Sequence, residues 1–194
     1  VEANGVPLSG VLQIGTYPHG NDATDAQLVA DLLASGFAAT ARDDVMAWKR
    51  AKLMRNVGNA LEVLCGGGRN QRGKPEEYDD AVREVSRRAA HEARACFAAA
   101  QMSVTSDEDY EASPADQAQS VPIAGRPRQG GSTWQSVQRG QGSVETDFLN
   151  GEIVRLGRLH QVATPTNEAI QSRMRTVVRA GTHPQPINPA ELLT

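Results

Sequence analysis

The sequence predicts a mainly α protein, a helical bundle preceded by a small α/β remnant, on three observations. Apolar residues recur at helical spacing around Lys52, Val82 and Ile153, capping residues and glycines punctuate those segments, and only residues 1–42 read as strand, helix, strand. The expected organisation is therefore residues 1–42 as the end of a larger α/β domain, residues 43–181 as a helical domain without strands, and residues 182–194 as a loose tail.

In the first part, Val11-Leu12-Gln13-Ile14-Gly15 alternates as a strand does, and Tyr17 to Asp22 is turn-rich. A helix follows from about Asp25 to Ser35 with Gly36 as its stop, and Phe37 to Ala41 makes a second short strand. That is too little sheet to close a domain. Because the chain opens on Val rather than Met, these elements read as the last ones of a domain whose beginning lies elsewhere.

The helical part begins at Asp43 or Asp44, either of which can cap a helix running through Lys52 to Gly66-Gly67-Gly68. Pro75 and the acids after it open the next helix, where the macrodipole favours negative charge. Tyr78, Val82, Val85, Ala89, Ala93, Cys96 and Ala100 form its buried stripe, rich in alanine and suited to close packing. Ser106-Asp107-Glu108-Asp109 starts a short acidic helix, and Pro114 to Gln129 is a polar loop of the kind that is often mobile. Further helices are expected over about 132–139, over 143–160, and from Thr164-Pro165 to Ala180 with Gly181 as the stop.

Lys plus Arg number 20 against 23 Asp plus Glu, a mildly acidic balance that points away from nucleic acid. No apolar run approaches the ~20 residues of a membrane helix, and no charged-then-apolar leader opens the chain. A soluble, cytoplasmic protein is the expectation. Cys65 and Cys96 form no C-x-x-C pair, and the four histidines lack ligand spacing, so neither a disulfide framework nor a metal site is indicated. Both cysteines are expected in packed helix surfaces.

The chemistry-bearing stripe is Lys52, Asn56 and Asn59, at i, i+4 and i+7 beside the apolar row Leu53, Val57, Leu61 and Leu64. Asn is a poor helix-interior residue, because its side chain competes for backbone hydrogen bonds. A lysine backed by two carboxamides is either a substrate-facing row or a solvated polar face. Lys49, Lys52 and Lys74 are the only lysines in an arginine-rich chain, so a retained ammonium hints at a titratable role for Lys52 or Lys49.

A second segment, Gly130-Gly131-Ser132-Thr133 through Val144-Glu145-Thr146-Asp147-Phe148-Leu149-Asn150-Gly151, joins the first in a pattern. With Lys52-x-x-x-Asn56, it resembles the C-terminal half of the ketopantoate reductases (2-dehydropantoate 2-reductases), which carry a Ser-rich helix start, a basic-Gly turn and Thr-Glu-Ile-Asp-x-x-Asn-Gly. Downstream, Gly157 to Asn167 is similar to the family's Gly-x-x-x-Gly-x-x-x-Pro-Thr-Pro-x-Asn region, and the likeness runs in order from about Gly10 to Arg179.

The resemblance implies a helical bundle of the 6-phosphogluconate-dehydrogenase C-terminal type, preceded by the end of a Rossmann domain. It also implies NADP-dependent reduction of a 2-oxo acid to the 2-hydroxy acid, with Lys52 as general acid and Glu145 hydrogen-bonding the oxo or hydroxyl end. Asn56 then binds substrate, with Asn59 as a stand-in for the family's next asparagine, which here is Ala60. Thr133, with Ser132 beside it, matches the serine that grips the substrate carboxylate, and Gly130 stands where the family often has Asn. The departures at Ala60 and Gly130 leave the exact acid open. Lys52, Asn56 and Glu145 are expected to converge on one cleft, since a proton donor works only within hydrogen-bond reach.

No Gly-x-G-x-x-G joins a strand to a helix, and Gly66-Gly67-Gly68 follows a helix instead. NADP would thus be bound mainly by an N-terminal domain outside the chain, with a small 2-oxo acid and a homodimer mate as partners. The competing reading is a non-catalytic helical module for dimerisation or small-acid binding.

Overall fold

The computed structural model describes residues 5–66, 76–113, 118–120, 132–138, 145–181 and 185–193. Its contacts form two units, Val1–Lys52 with Ser103–Arg128, and Leu53–Met102 with Gln129–Thr194.

In the first unit, β2 (Val11–Ile14) pairs in parallel with β3 (Ala38–Ala41), Val11 opposite Ala38 and Ile14 opposite Ala41. A parallel pair needs a crossover, and α1 (Ala23–Ala34) supplies it. Asp22 caps that helix, accepting from Thr24 N at 2.7 Å and Asp25 N at 3.0 Å, while Asp25 returns the bond to Asp22 N at 3.1 Å. Gly36, at φ +80, supplies the stop expected of it.

Two features of this unit correct the expected layout. β1 (Gly5–Pro7) pairs antiparallel with β4 (Ala118–Ser120), so the region after residue 43 is not free of strand. The pairing joins segments far apart in sequence, which no local pattern announces. The first turns of α2 (Val45–Asn56) also belong with 103–113 rather than opening the helical unit. Asp44 caps α2 through Ala47 N at 3.0 Å and accepts from Ser103 Oγ at 2.5 Å, and Arg50 Nη1 donates to Ser103 O at 2.8 Å. Arg42 sits 4.0 Å above the Trp48 ring, which stacks on Tyr110 of α5 (Asp107–Glu111) with centroids 5.8 Å apart.

The second unit packs α4 (Glu76–Ala99) against α7 (Thr146–His160) and α8 (Pro165–Ala180), and α6 (Ser132–Gln138) against the short α3 (Leu61–Leu64). Val85, Ala89, Ala93 and Cys96 of α4 are each 0% exposed, as the Ala-rich stripe predicts. Val82 and Ala100 are half-buried, and the Tyr78 side chain lies outside the described residues. Facing them are Ile153, Leu156, Ile170 and Met174, all fully buried. Cys65 and Cys96 are buried free thiols, and Cys96 Sγ donates to Ile153 O at 3.7 Å.

The helix expected to run unbroken from Asp44 to Gly66 is instead two helices with a turn between them. α2 stops at Asn56, and the chain turns through Asn59 N to Asn56 O and Leu61 N to Gly58 O, both 3.0 Å. Glycine lets this turn lie close to α4, since a Cβ on Gly58 would stand 2.6 Å from Ser86 Oγ. Asn59 therefore does not continue the helical row of Lys52 and Asn56.

The expected loose tail is likewise corrected over its described part. Ile187 N donates to Leu64 O at 2.9 Å, Asn188 caps a 3-10 helix over Pro189–Leu192, and Leu192 is 1% exposed. Burying a leucine and satisfying a helix-end carbonyl fixes this segment onto α4 and α8. The polar loop expected from Pro114 to Gln129 lies outside the described residues except for β4.

Candidate functional site

A buried polar chain runs through the second unit and begins one residue after Asn56. Asn150 of α7, 1% exposed, donates through Nδ2 to Val57 O at 2.9 Å and to Asn167 Oδ1 at 2.9 Å. Asn167, 0% exposed, donates in turn to Ala89 O at 3.0 Å and to Glu92 Oε2 at 2.7 Å. Glu92 then accepts from Thr166 N at 2.9 Å and Asn167 N at 3.0 Å. The Thr164 side chain makes no cap bond and Pro165 has no N–H, so a carboxylate from α4 caps α8 from outside. Asn150 is thus structural, through buried bonds between helices.

Nothing in the sequence reading singled out Glu92. Its signal was available, because it lies three residues after Ala89 and four before Cys96 and so borders the buried stripe of α4. Burial raises the Cys96 thiol above its ordinary range, and the neighbouring Glu92 charge adds to the effect.

Lys52 and Asn56 lie one turn apart on α2, Lys52 exposed and Asn56 half-buried. Lys52 is the last residue of the first unit, whereas Asn56, Asn59, Ser132, Thr133 and Glu145 belong to the second. The packing of α6 on α3 brings the helix of Thr133 against the segment that follows Asn59. Glu145 is exposed and occupies the N-cap of α7 at φ −56, making no side-chain cap bond. Its carbonyl accepts from Phe148 N at 2.9 Å and Leu149 N at 2.8 Å. Ser132 opens α6, and its side chain lies outside the described residues.

Thr133 stands apart from the other polar residues of the motif. It is 3% exposed, and its Oγ1 has no hydrogen-bond partner among the described residues. A buried hydroxyl left in that state costs about 1–3 kcal/mol unless a water or a ligand meets it.

The described residues do not fit a dinucleotide's pyrophosphate. Of their strand-to-helix joints, β3 to α2 is capped by Asp44 through Ala47 N, and at β2 to α1 the first α1 N–H groups are already taken by the Asp22 carboxylate. The Asp25 and Thr24 amides hold that carboxyl below its ordinary 3.8, so the helix start carries negative charge where an anion would need to sit. Gly66 follows α3, and Gly67 and Gly68 lie outside the described residues. No helix among the described residues is long and apolar enough to cross a membrane, and no three His, Cys, Asp or Glu are grouped there to hold a metal ion.

Residues 44–178 match the family model of the ketopantoate reductase PanE/ApbA C-terminal domain. The chain belongs to that family, one of ketopantoate-reductase-like oxidoreductases, and carries its helical C-terminal domain. Among solved structures it is similar to a PanE/ApbA family ketopantoate reductase from Ralstonia eutropha JMP134, at 29% identity and TM-score 0.64, over 90% of this chain and 53% of that one. It shares its fold with a 2-dehydropantoate 2-reductase from Methylococcus capsulatus, at 24% identity and TM-score 0.67, over 89% of this chain and 56% of that one. The same holds for a D-mandelate dehydrogenase solved with NADH, at 17% identity and TM-score 0.66, over 89% of this chain and 55% of that one. The chain thus spans about half the length of these structures. No curated protein sequence matches it.

Proposed function

We propose that this chain is the substrate-handling helical part of an NADPH-dependent reductase that converts a small 2-oxo acid, ketopantoate or a close analogue, to the 2-hydroxy acid. In this reading a separate N-terminal domain holds the cofactor, and the residues described here handle substrate and proton. The Lys52 ammonium supplies the proton to the oxygen on C2, the Asn56 carboxamide and the Glu145 carboxylate orient that end, and hydroxyls at the start of α6 hold the carboxylate. Asn59 is a second substrate contact, and Ser132 stands beside Thr133. Family membership supports the reaction class. The observation that carries the substrate assignment is the buried Thr133 hydroxyl without a described partner, which an incoming carboxylate would satisfy.

The test is an assay of the protein with its natural termini for NADPH oxidation across a panel of 2-oxo acids. Lys52→Ala should lower kcat by roughly 10²- to 10⁴-fold, the usual worth of a positioned acid, and Lys49→Ala should leave it nearly unchanged. Thr133→Val should raise KM without lowering the melting temperature, since the lost hydroxyl bonds no group among the described residues. A Lys52→Ala enzyme with near-wild-type turnover refutes the catalytic assignment.

One observation favours a second reading, a non-catalytic module that binds small acids: the described strand-to-helix joints into α1 and α2 are already capped by Asp22 and Asp44. Calorimetry of the 194-residue chain with NADPH should detect no binding near a micromolar Kd, about −8 kcal/mol. A natural-length protein that also fails to bind NADPH would leave the module reading in front.

A further inference from the structure

Asn56 and Glu145, both assigned to substrate, stand on segments that a single side chain ties together. Asn56 closes α2, and Val57 after it is 0% exposed, so the Val57 carbonyl needs a donor inside the protein. Asn150 Nδ2 supplies it at 2.9 Å. Asn150 lies on α7 after Glu145, about 7.5 Å further along the helix axis. A hydrogen bond therefore joins the backbone that carries Asn56 to the helix that presents Glu145.

Both ends of that bond are fixed by their surroundings. On the α2 side, Asn59 N closes the turn onto Asn56 O at 3.0 Å, and Gly58 lies so near α4 that an added Cβ would stand 2.6 Å from Ser86 Oγ. On the α7 side, the second proton of the Asn150 amide goes to Asn167 Oδ1 at 2.9 Å, so the carboxamide cannot turn without losing both bonds. Asp147 keeps α7 from rolling, because its Oδ1 accepts from two residues of α8, Gln171 Nε2 at 3.1 Å and Arg175 Nε at 2.7 Å. Gly151 leaves room for that reach: a Cβ there would stand 2.5 Å from Gln171 Nε2. With α7 held in this way, losing the Asn150 bond would free the end of α2 rather than α7.

We propose that Asn150 is a positioning residue, which sets the Asn56 carboxamide in register with the Glu145 carboxylate so that both meet one substrate. It touches no substrate itself, since both of its protons are taken. Misplacing a group that orients a reacting oxygen by about 1 Å costs on the order of 10²-fold in rate. This role rests on the reading of Asn56 and Glu145 as substrate contacts.

The assay is NADPH oxidation by the protein with its natural termini, below the melting temperature of every variant. The acid is ketopantoate or, where another acid of the panel is turned over faster, that acid. Asn150→Ala should lower kcat/KM by roughly 10- to 100-fold. Made in an Asn56→Ala enzyme, the same change should cost less than about twofold, because the group it positions is gone. Glu92→Gln is the control for stability: it keeps both Asn167 bonds, so it should lower the melting temperature yet leave kcat/KM within about twofold of wild type. Where Asn150→Ala does not fold, Asn150→Ser takes its place, with one proton on a shorter side chain and the same non-additivity expected. An unimpaired Asn150 variant, equal losses in the two backgrounds, or a Glu92→Gln enzyme as impaired as Asn150→Ala overturns the positioning role and leaves Asn56 a substrate contact. An Asn56→Ala enzyme as active as wild type, or a wild type that reduces no acid of the panel, refutes the substrate reading itself, and the positioning role falls with it.

Discussion

Replacing Glu92 by glutamine changes almost no volume and removes one acceptor, so it isolates what the buried carboxylate does. Its Oε1 accepts from Thr166 N, and its Oε2 accepts from both Asn167 N and Asn167 Nδ2. A glutamine can place its oxygen at only one of those points. The better orientation keeps both Asn167 bonds and turns an NH2 group toward the Thr166 amide, donor against donor. The loss is then one charge-assisted hydrogen bond, about 1.5–3 kcal/mol, together with the attraction between a carboxylate and a helix N-terminus, about 0.3–1 kcal/mol. Glu92→Gln should therefore destabilise the chain by about 2–4 kcal/mol. Glu92→Ala abandons three donors and should cost about 3–5 kcal/mol. Urea unfolding followed by circular dichroism measures both. Hydrogen exchange localises the effect: the Thr166 and Asn167 amides should lose protection in Glu92→Gln, while amides in the middle of α8 keep theirs. A Glu92→Gln chain that unfolds at the wild-type urea midpoint, with those two amides still protected, would show that α8 does not depend on the cap from α4.

Three further outcomes follow from the same structure. Cys65 and Cys96 are both 0% exposed, and the Cys96 thiol is raised by burial, so a thiol reagent should modify neither until the chain unfolds; rapid labelling under native conditions would contradict that packing. The Ser103 hydroxyl, then the Ala47 amide and the charges of Arg50 and His19, hold the Asp44 carboxyl below its ordinary 3.8, so its contribution is full above that value and lost as the pH falls through the lower folded one. Thermal melts of Asp44→Asn should consequently depend less steeply on pH below about pH 4 than wild type, and parallel curves would refute the assignment. At Gly157 an added Cβ would stand 2.6 Å from Val162 O and 2.7 Å from Thr164 Cγ2, so Gly157→Ala should cost about 1–3 kcal/mol in a urea titration; an unchanged midpoint would mean that the α7 to α8 turn can shift freely.

Much of the helical unit was legible because its signals are local. α8 runs from Pro165 to Ala180 and ends on Gly181 at φ +63, as its proline start and glycine stop predict. α7 was placed from Ser143 but begins at Thr146, and its stop is Gln161 in the left-handed region at φ +58, a position that sequence assigns to glycine or asparagine. What escaped is what depends on a distant partner. The turn after Asn56 packs its Gly58 close to Ser86 on α4, the β1 and β4 pairing has three residues on each side, and the C-terminal segment is held by Leu64 and by the burial of Leu192. None of these leaves a trace in periodicity.

Hydrogen-bond capacity divides the motif's polar residues more sharply than their types do. Both protons of the Asn150 amide are used, by Val57 O and Asn167 Oδ1, and both protons of the Asn167 amide are used, by Ala89 O and Glu92 Oε2. These two asparagines have no donor left for a ligand, although in sequence they stand among residues that a substrate could address. Their work is to hold the carbonyl of Val57, and with it the end of α2 that carries Asn56, against α7, α8 and α4. Thr133 is the opposite case: equally buried, on a helix start, with a hydroxyl that no described group meets. A saturated buried amide and an unsaturated buried hydroxyl look alike in a sequence, since each is one polar residue in an apolar stretch. Only the count of partners separates a residue that builds the fold from one left available to a ligand.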